Sequence, residues 1–283
     1  MASFTNFATL SYNGGTTNSN IVTGEILEPL TAVKTAVSAN YSAGDRITYA
    51  LSLVNTGTAA ITDYTVTDNL GGYTVGANTV YPLAYDAGTV RYYINGVLQT
   101  APTVTAGPPL TVTGLTVPAG GSAVLIYETT ATPVAPLATG SSITNTATIT
   151  GGGLTTPITA QATVETANSA ELSISKALSP TTVTENGRIT YTFVISNTGN
   201  TEATATGNVV VTDTFAPILR SIAVTYNGTA WTEGTNYTYN AATGVFTTLA
   251  GQITVPAATF MQNTDGTFTV TPGTATLVIT GTV

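Results

Sequence analysis

Only two lysines occur in the chain, Lys34 and Lys176. Each stands upstream of an aspartate that follows a Val-Thr pair: Asp68 in Val66-Thr67-Asp68, Asp213 in Val211-Thr212-Asp213. Asn145, inside Ile143-Thr144-Asn145-Thr146-Ala147-Thr148-Ile149, has a counterpart in Asn6 near the N-terminus. An amine, a carboxyl and a carboxamide gathered in an apolar interior suggest an autocatalytic isopeptide bond. Burial favours the neutral amine and the protonated carboxyl. The amine attacks the carboxamide carbon, the carboxyl polarises the carbonyl and relays protons, and ammonia leaves. This assigns Lys34, Asp68 and Asn145 to one triple within the chain. Lys176, Asp213 and Asn6 form a second, completed between two chains. Plainer roles compete: edge-strand gatekeepers or ordinary salt bridges for the lysines, and a turn or ladder cap for Asn145.

Such residues need elements that bring them together. Alternation in Arg46-Ile47-Thr48-Tyr49-Ala50-Leu51-Ser52-Leu53 and in Arg188-Ile189-Thr190-Tyr191-Thr192-Phe193-Val194-Ile195 reads as β-strand. Asn95-Gly96, Asn186-Gly187 and Asn227-Gly228 read as hairpin turns. No helical periodicity of useful length appears, so the expected fold is all-β, with tandem Ig-like sandwiches. Alternation also places Ile143, Asn145, Ala147 and Ile149 on one face, which its apolar members mark as inward.

Composition narrows the chemistry. Charged residues are 7% of the 283, against about 25% in ordinary domains. There is no Cys and no His, which removes thiol and imidazole catalysis, disulfides and the usual zinc and copper sites. Net charge is −8, with no basic run, so nucleic acid is an unexpected partner. No stretch reaches the roughly 20 apolar residues of a membrane span. Met1-Ala2-Ser3-Phe4-Thr5-Asn6 does not read as a signal peptide, and Thr280-Gly281-Thr282-Val283 does not read as a wall anchor. Asp45, Asp63 and Asp86 form no dense calcium loop. Asn40, Asn227 and Asn236 head glycosylation sequons of a kind frequent by chance in Thr-rich chains. Tyr92, Tyr93 and Trp231 suit a sugar-binding face, or more ordinarily cross-strand packing. No metal, cofactor or enzymatic activity is expected.

Lys34 and Lys176 are 142 positions apart, and at the same offset Arg46-Ile47-Thr48-Tyr49 recurs as Arg188-Ile189-Thr190-Tyr191. Asn55-Thr56-Gly57 recurs as Asn197-Thr198-Gly199, and Thr116-Val117-Pro118-Ala119 returns later as Thr254-Val255-Pro256-Ala257. The expected organisation is an N-terminal extension over 1–28, a complete sandwich over 29–169 and a second over 170–283. After Ala123-Val124-Leu125-Ile126-Tyr127 the first copy continues into a closing hairpin that runs through Val164. The second copy reaches the matching Ala275-Thr276-Leu277-Val278-Ile279 without one.

The missing piece has a double at the front. Phe4-Thr5-Asn6-Phe7-Ala8-Thr9-Leu10 aligns with residues 143 to 149 at an offset of 139, and Gly14 continues it onto Gly153. Residues 4 to 26 therefore read as a donor hairpin, with Phe4, Asn6, Ala8, Leu10 and Ile21 as donor positions. A sandwich short of its last strands recruits strands from elsewhere. Folding back within the chain means passing the whole first domain on a connection, Leu27 to Val33, that spans about 25 Å at roughly 3.3 Å per residue. Entry into a neighbouring chain instead gives a head-to-tail contact that propagates as a fibre. A third option is a flap on the first domain beside a naturally shorter second domain.

The quoted motifs, from Lys34-Thr35-Ala36-Val37 and Gly44-Asp45-Arg46-Ile47-Thr48-Tyr49 to Ile143-Thr144-Asn145-Thr146-Ala147-Thr148, resemble the prokaryotic "conserved repeat domain" family. That family is the eleventh of the domains of unknown function. The resemblance covers nearly the whole chain. It implies Ig-like sandwiches on bacterial or archaeal surfaces, often in long arrays. The Lys/Asp/Asn placement is also similar to isopeptide-forming domains of Gram-positive pilins. That similarity implies Lys34 and Lys176 as nucleophiles, Asp68 and Asp213 as catalysts, and Asn145 and Asn6 as acceptors. The expectation is a structural, non-enzymatic subunit of an extracellular filament on a cell or spore surface, its partner being itself. The alternative is a monomeric adhesin that binds glycan or protein.

Overall fold

The computed structural model describes residues 2–26 and 29–283. Leu27 and Glu28, where the connection and the expected boundary at 28 fall, lie outside the described residues. Nearly every element is a strand, and the one 3-10 turn among the described residues is Ala205–Gly207.

The N-terminal segment is a bent hairpin. β1 (Ala2–Asn6) pairs antiparallel with β4 (Val22–Ile26), and β2 (Thr9–Tyr12) with β3 (Gly15–Asn18). Asn6 stands opposite Val22, and the Phe4 ring lies over Gly24, where a Cβ would sit 2.4 Å from it. Residues 4–23 are all exposed. The hairpin therefore neither folds back onto the second sandwich nor packs as a flap on the first.

The first sandwich contains β5 (Leu30–Ala36), β6 (Arg46–Asn55), β7 (Ile61–Asp68), β8 (Leu110–Val117), β9 (Ser122–Ala131), β10 (Ser142–Gly151) and β11 (Ile158–Thr166). One sheet carries β5, β6 and β9 side by side; the other runs β8, β7, β10, β11; short strands extend both. Strict alternation drives this layering: β6 and β10 bury every second residue. One core extends from Leu30 to Val164 and includes Ile143, Ala147 and Ile149 of β10, and Ala160, Ala162 and Val164 of β11.

The second sandwich repeats the plan with fewer strands. Its first sheet runs β12 (Leu172–Ser179), β13 (Arg188–Asn197), β18 (Gly273–Thr282) and β15 (Arg220–Tyr226). Its second sheet has three strands, β14 (Thr212–Thr214), β17 (Val245–Thr248) and β16 (Tyr237–Asn240), in that order. Its core extends from Ile189 to Ile279. In the first sandwich β7 is flanked by β8 and β10; here β14 has β17 on one side and, among the described residues, nothing on the other.

Turn chemistry follows the sequence at two of three positions. Asn95-Gly96 and Asn227-Gly228 close tight hairpins with positive φ at both residues (48° and 79°, 48° and 80°). Asn186-Gly187 does not. β12 and β13 pair from Ser179 opposite Thr190, so residues 180–187 connect them, and only Asn186 takes a positive φ, 62°. The Asn serves a wider loop there because the strands separate well before it.

Candidate functional site

Lys34 lies on β5 with the same parity as Leu30, so its stem enters the core. Its Nζ stands 2.5 Å from Asp68 Oδ2, and the two side chains are 0% and 1% exposed. Asp68 ends β7 and its other oxygen accepts the Leu70 amide at 2.9 Å. The Tyr127 hydroxyl donates to the same Oδ2 as Lys34. Tyr127 and Tyr49 face each other across β9 and β6 and stack at 5.9 Å, with Lys34 Nζ 4.7 Å from the Tyr49 ring centre. The amine thus sits in an aromatic box with one carboxyl.

Asn145 completes the cluster from β10. Ala147 stands opposite Asp68, and Asn145 lies two residues further along the same face, past the end of β7. There β10 is held by Asn69, whose amide donates to the Thr146 carbonyl at 3.0 Å and whose Oδ1 accepts the Thr146 amide at 2.9 Å. Asn145 is fully buried, and both polar atoms of its carboxamide lack a hydrogen-bond partner, as does the Tyr49 hydroxyl. Leaving such groups unpaired costs about 1–3 kcal/mol each, so a buried carboxamide without partners asks for a reason.

The electrostatics suit amide formation. Burial lowers the Lys34 pKa to about 8 from 10.5, although the neighbouring Asp68 pulls the other way. Burial pushes the Tyr49 phenol up, Asp68 adds to this, and Asn145 opposes it; the carboxamide thus adjoins that hydroxyl even though the two complete no hydrogen bond. Burial also raises Tyr127, again with Asp68. Both phenols stay protonated and neutral.

The second sandwich holds two of its three expected residues together. Lys176 Nζ lies 2.5 Å from Asp213 Oδ2 and 4.5 Å from the Tyr191 ring centre, with Phe215 at 5.6 Å. The Tyr127 position, opposite Tyr191 on β18, is Ile279. Asn6 is exposed on the hairpin and is not brought to Lys176. The other donor residues, Phe4, Ala8, Leu10 and Ile21, are exposed with it.

The first strands of the two sandwiches give an internal comparison. On β5 the inward positions are Leu30, Ala32, Lys34 and Ala36; on β12 they are Leu172, Ile174, Lys176 and Leu178. Leu30 is 4% exposed and Leu172 is 40%; Ile174, at 55%, stands where Ala32 is packed against the core. In the first sandwich β11 of the closing hairpin lies along β5. Nothing among the described residues does so for β12, which is exposed throughout. An apolar trough therefore runs from β12 to the free edge of β14, with the Lys176–Asp213 pair in it.

The lysine–aspartate pairs and the inward Asn145 were legible from spacing. The two phenols around Lys34 were not singled out, although Tyr49 recurs as Tyr191 within a quoted repeat. Tyr92 is buried with its hydroxyl bound to Thr116, and Trp231 stacks on Tyr226 at 4.8 Å, so both serve packing. Among the described residues no Asp/Glu cluster could hold a metal, and no helix is long and apolar enough to cross a membrane.

No family model matches the chain, and no curated protein does. Solved structures resemble it at low identity. The N-terminal domain of the Streptococcus gordonii adhesin Sgo0707 is 15% identical, with a TM-score of 0.36, over 47% of this chain and 31% of that one. The chain thus spans less than a third of that protein's length. BcpA, the major pilin subunit of Bacillus cereus, is 14% identical, with a TM-score of 0.35, over 96% of this chain and 73% of its own. A fragment of the major pilin GBS80 of Streptococcus agalactiae is 14% identical, with a TM-score of 0.37, over 87% of both chains.

Proposed function

We propose that the chain is a non-enzymatic structural subunit of an extracellular, pilus-like filament, assembled head to tail as the N-terminal hairpin of one copy enters the second sandwich of the next. The observation that carries this is the trough along β12, open where the first sandwich is filled by β10 and β11. The same chain carries an exposed hairpin with the sequence pattern of that filling. The register follows from the first sandwich, where Ala147 stands opposite Asp68 and Ile149 opposite Val66. By that pattern Ala8 stands opposite Asp213 and Leu10 opposite Val211. Phe4, Asn6, Ala8 and Leu10 then face the interior, and the returning strand of the hairpin lies along Leu172, Ile174 and Leu178 as β11 lies along β5.

Magnitudes support association without making it tight. Fully burying a large apolar side chain contributes about 1.5–3 kcal/mol, and five such groups meet here: Phe4, Leu10, Leu172, Ile174 and Leu178. Association costs about 4–15 kcal/mol of lost freedom. Ladder hydrogen bonds along the free edge of β14 add to the gain. The contact is heterologous and does not close on itself, so it propagates.

Within each subunit, Lys34 and Asn145 are the partners of an amide. A proton passes from Lys34 to Asp68 across their short contact, and the neutral amine attacks Asn145 Cγ. Asp68 protonates the carboxamide oxygen, the tetrahedral adduct collapses and ammonia departs with the proton. The bond ties β5 to β10, the first strand to the closing hairpin. A bacterial or archaeal surface is the setting that the repeat motifs' resemblance implies. Negative-stain microscopy tests the assembly: purified protein should form fibres, and a variant lacking residues 2–26 should stay dispersed. Dispersed full-length protein would instead favour a monomeric adhesin.

A further inference from the structure

The inference that follows rests on hairpin insertion as just proposed. The exposed Lys176–Asp213 pair is a half-built copy of the Lys34–Asp68–Asn145 cluster. It lacks a carboxamide and a cover, and one insertion supplies both. We propose that insertion triggers an amide bond between Lys176 Nζ of one subunit and Asn6 Cγ of the next, with Asp213 moving the protons.

In the lone chain the Lys176 side chain is 41% exposed and Asp213 17%. Water reaches the pair, and among the described residues no carboxamide is hydrogen-bonded to Lys176. The inserted hairpin lays Asn6 on the inward face two residues from Ala8, as Asn145 lies two residues from Ala147 at Asp68. It also excludes water, which favours the neutral amine and neutral carboxyl over the ions. That conversion is a single proton transfer across the 2.5 Å contact.

The step balances without a co-reactant. The Lys176 amine attacks Asn6 Cγ while Asp213 protonates the carboxamide oxygen. Collapse breaks the Cγ–Nδ2 bond, ammonia leaves with the transferred proton, and Asp213 returns to its starting form. One C–N bond forms, one breaks, and nothing is oxidised or reduced. Among its differences from the first site, Ile279 replaces Tyr127, whose hydroxyl donates to Asp68, and the rings of Phe193 and Phe215 stand near Lys176. Asp213 thus lacks the hydroxyl donor that Asp68 has. Because the acyl group arrives only with a correctly registered hairpin, cross-linking at Lys176 seals finished contacts and leaves the Lys176 and Asn6 of free subunits unmodified.

Full-length wild-type, Lys176→Met and Asn6→Ala proteins test this. Wild-type fibres boiled in detergent should leave a ladder of multimers. Their digests should contain a peptide joining the Asn6 and Lys176 segments, about 17 Da lighter than the sum, the mass of the lost ammonia. Each variant alone should form fibres that detergent returns to monomers. Mixed in equal amounts, the Asn6 of Lys176→Met meets the Lys176 of Asn6→Ala, and detergent-resistant dimers and nothing longer should appear. Wild-type fibres that dissolve to monomers without the joined peptide would overturn the amide and leave hairpin assembly standing. So would a mixture that yields no dimer. Absence of fibres from wild-type protein would overturn the assembly itself, and this inference with it.

Discussion

Lys34 and Lys176 occupy the same position of a repeat and each holds an aspartate at 2.5 Å, yet one side chain is fully buried and the other is 41% exposed. The difference lies in a closing hairpin: β10 and β11 cover the first lysine, and among the described residues no such hairpin covers the second. The subunit thus displays a finished site and an open version of it.

The finished site should show in the mass and the stability of the free subunit. Intact mass spectrometry of monomeric protein should find one loss of about 17 Da, the ammonia released on amide formation. Asn145→Ala should restore the sequence mass of that variant. The amide closes a loop of roughly 110 residues, and a cross-link of that span contributes about 4–5 kcal/mol on a chain-entropy account. Denaturant unfolding of the first sandwich should move by that order; an unchanged mass and midpoint would speak against the bond.

The pH dependence of the uncross-linked variant follows from Lys34. Its pKa in the folded chain is lowered to about 8 from 10.5, so between those values the unfolded state binds more protons. Stability must then rise with pH in that window. Below about pH 8 the charged amine burdens the fold, and deprotonation relieves it. Asn145→Ala protein should gain about 1–2 kcal/mol between pH 8 and 9.5, a range that keeps the buried phenols neutral. Wild-type protein, its amine consumed in an amide, should show no such gain; equal slopes for the two would count against the assignment.

Parity along the hairpin provides a sharper test than deletion. Leu10 aligns with the buried Ile149 and Thr9 with the outward Thr148. Leu10→Asp places a carboxylate in the trough and should abolish fibres, because an unpaired buried charge costs several kcal/mol. Thr9→Asp should polymerise normally. The reverse pattern in sedimentation assays would mean that the hairpin does not enter with the register of β10.

The join between the sandwiches depends on Asn200. Its carboxamide donates to the Leu137 and Ala167 carbonyls at 3.0 and 2.8 Å and accepts the Ser169 amide at 3.1 Å. Thr139 adds a bond to its backbone carbonyl at 2.7 Å. Asn200→Ala removes three bonds worth about 1 kcal/mol each. Small-angle scattering should then show a broader range of particle dimensions, while each sandwich keeps its own unfolding midpoint. An unaltered scattering profile would show that other contacts, such as Gln262 to Tyr73 at 2.8 Å, suffice.

Much of this was legible in the chain because β-structure writes itself with a period of two. Alternation with apolar neighbours turns Asn145 inward, and the 142-residue offset pairs the two lysines. The repeat could not reveal Tyr127. A tyrosine in an alternating strand reads as ordinary core, and its bond to Asp68 arises only when the two sheets are stacked. Asn186-Gly187 misled for a related reason: a turn signal is local, whereas the point where β12 leaves β13 is set by the sheet. The state of the hairpin was equally hidden. Its likeness to β10 says what it can fill, and only the fold shows that in the single chain it fills nothing.

The central claim is met most directly by cryo-electron microscopy of the purified full-length chain at high concentration. The expected map is a fibre in which residues 4 to 10 of one subunit lie against β14 of the next, Ala8 beside Asp213, with Leu172, Ile174 and Leu178 covered. Particles that stay single, or a fibre whose hairpins lie outside that trough, would contradict it.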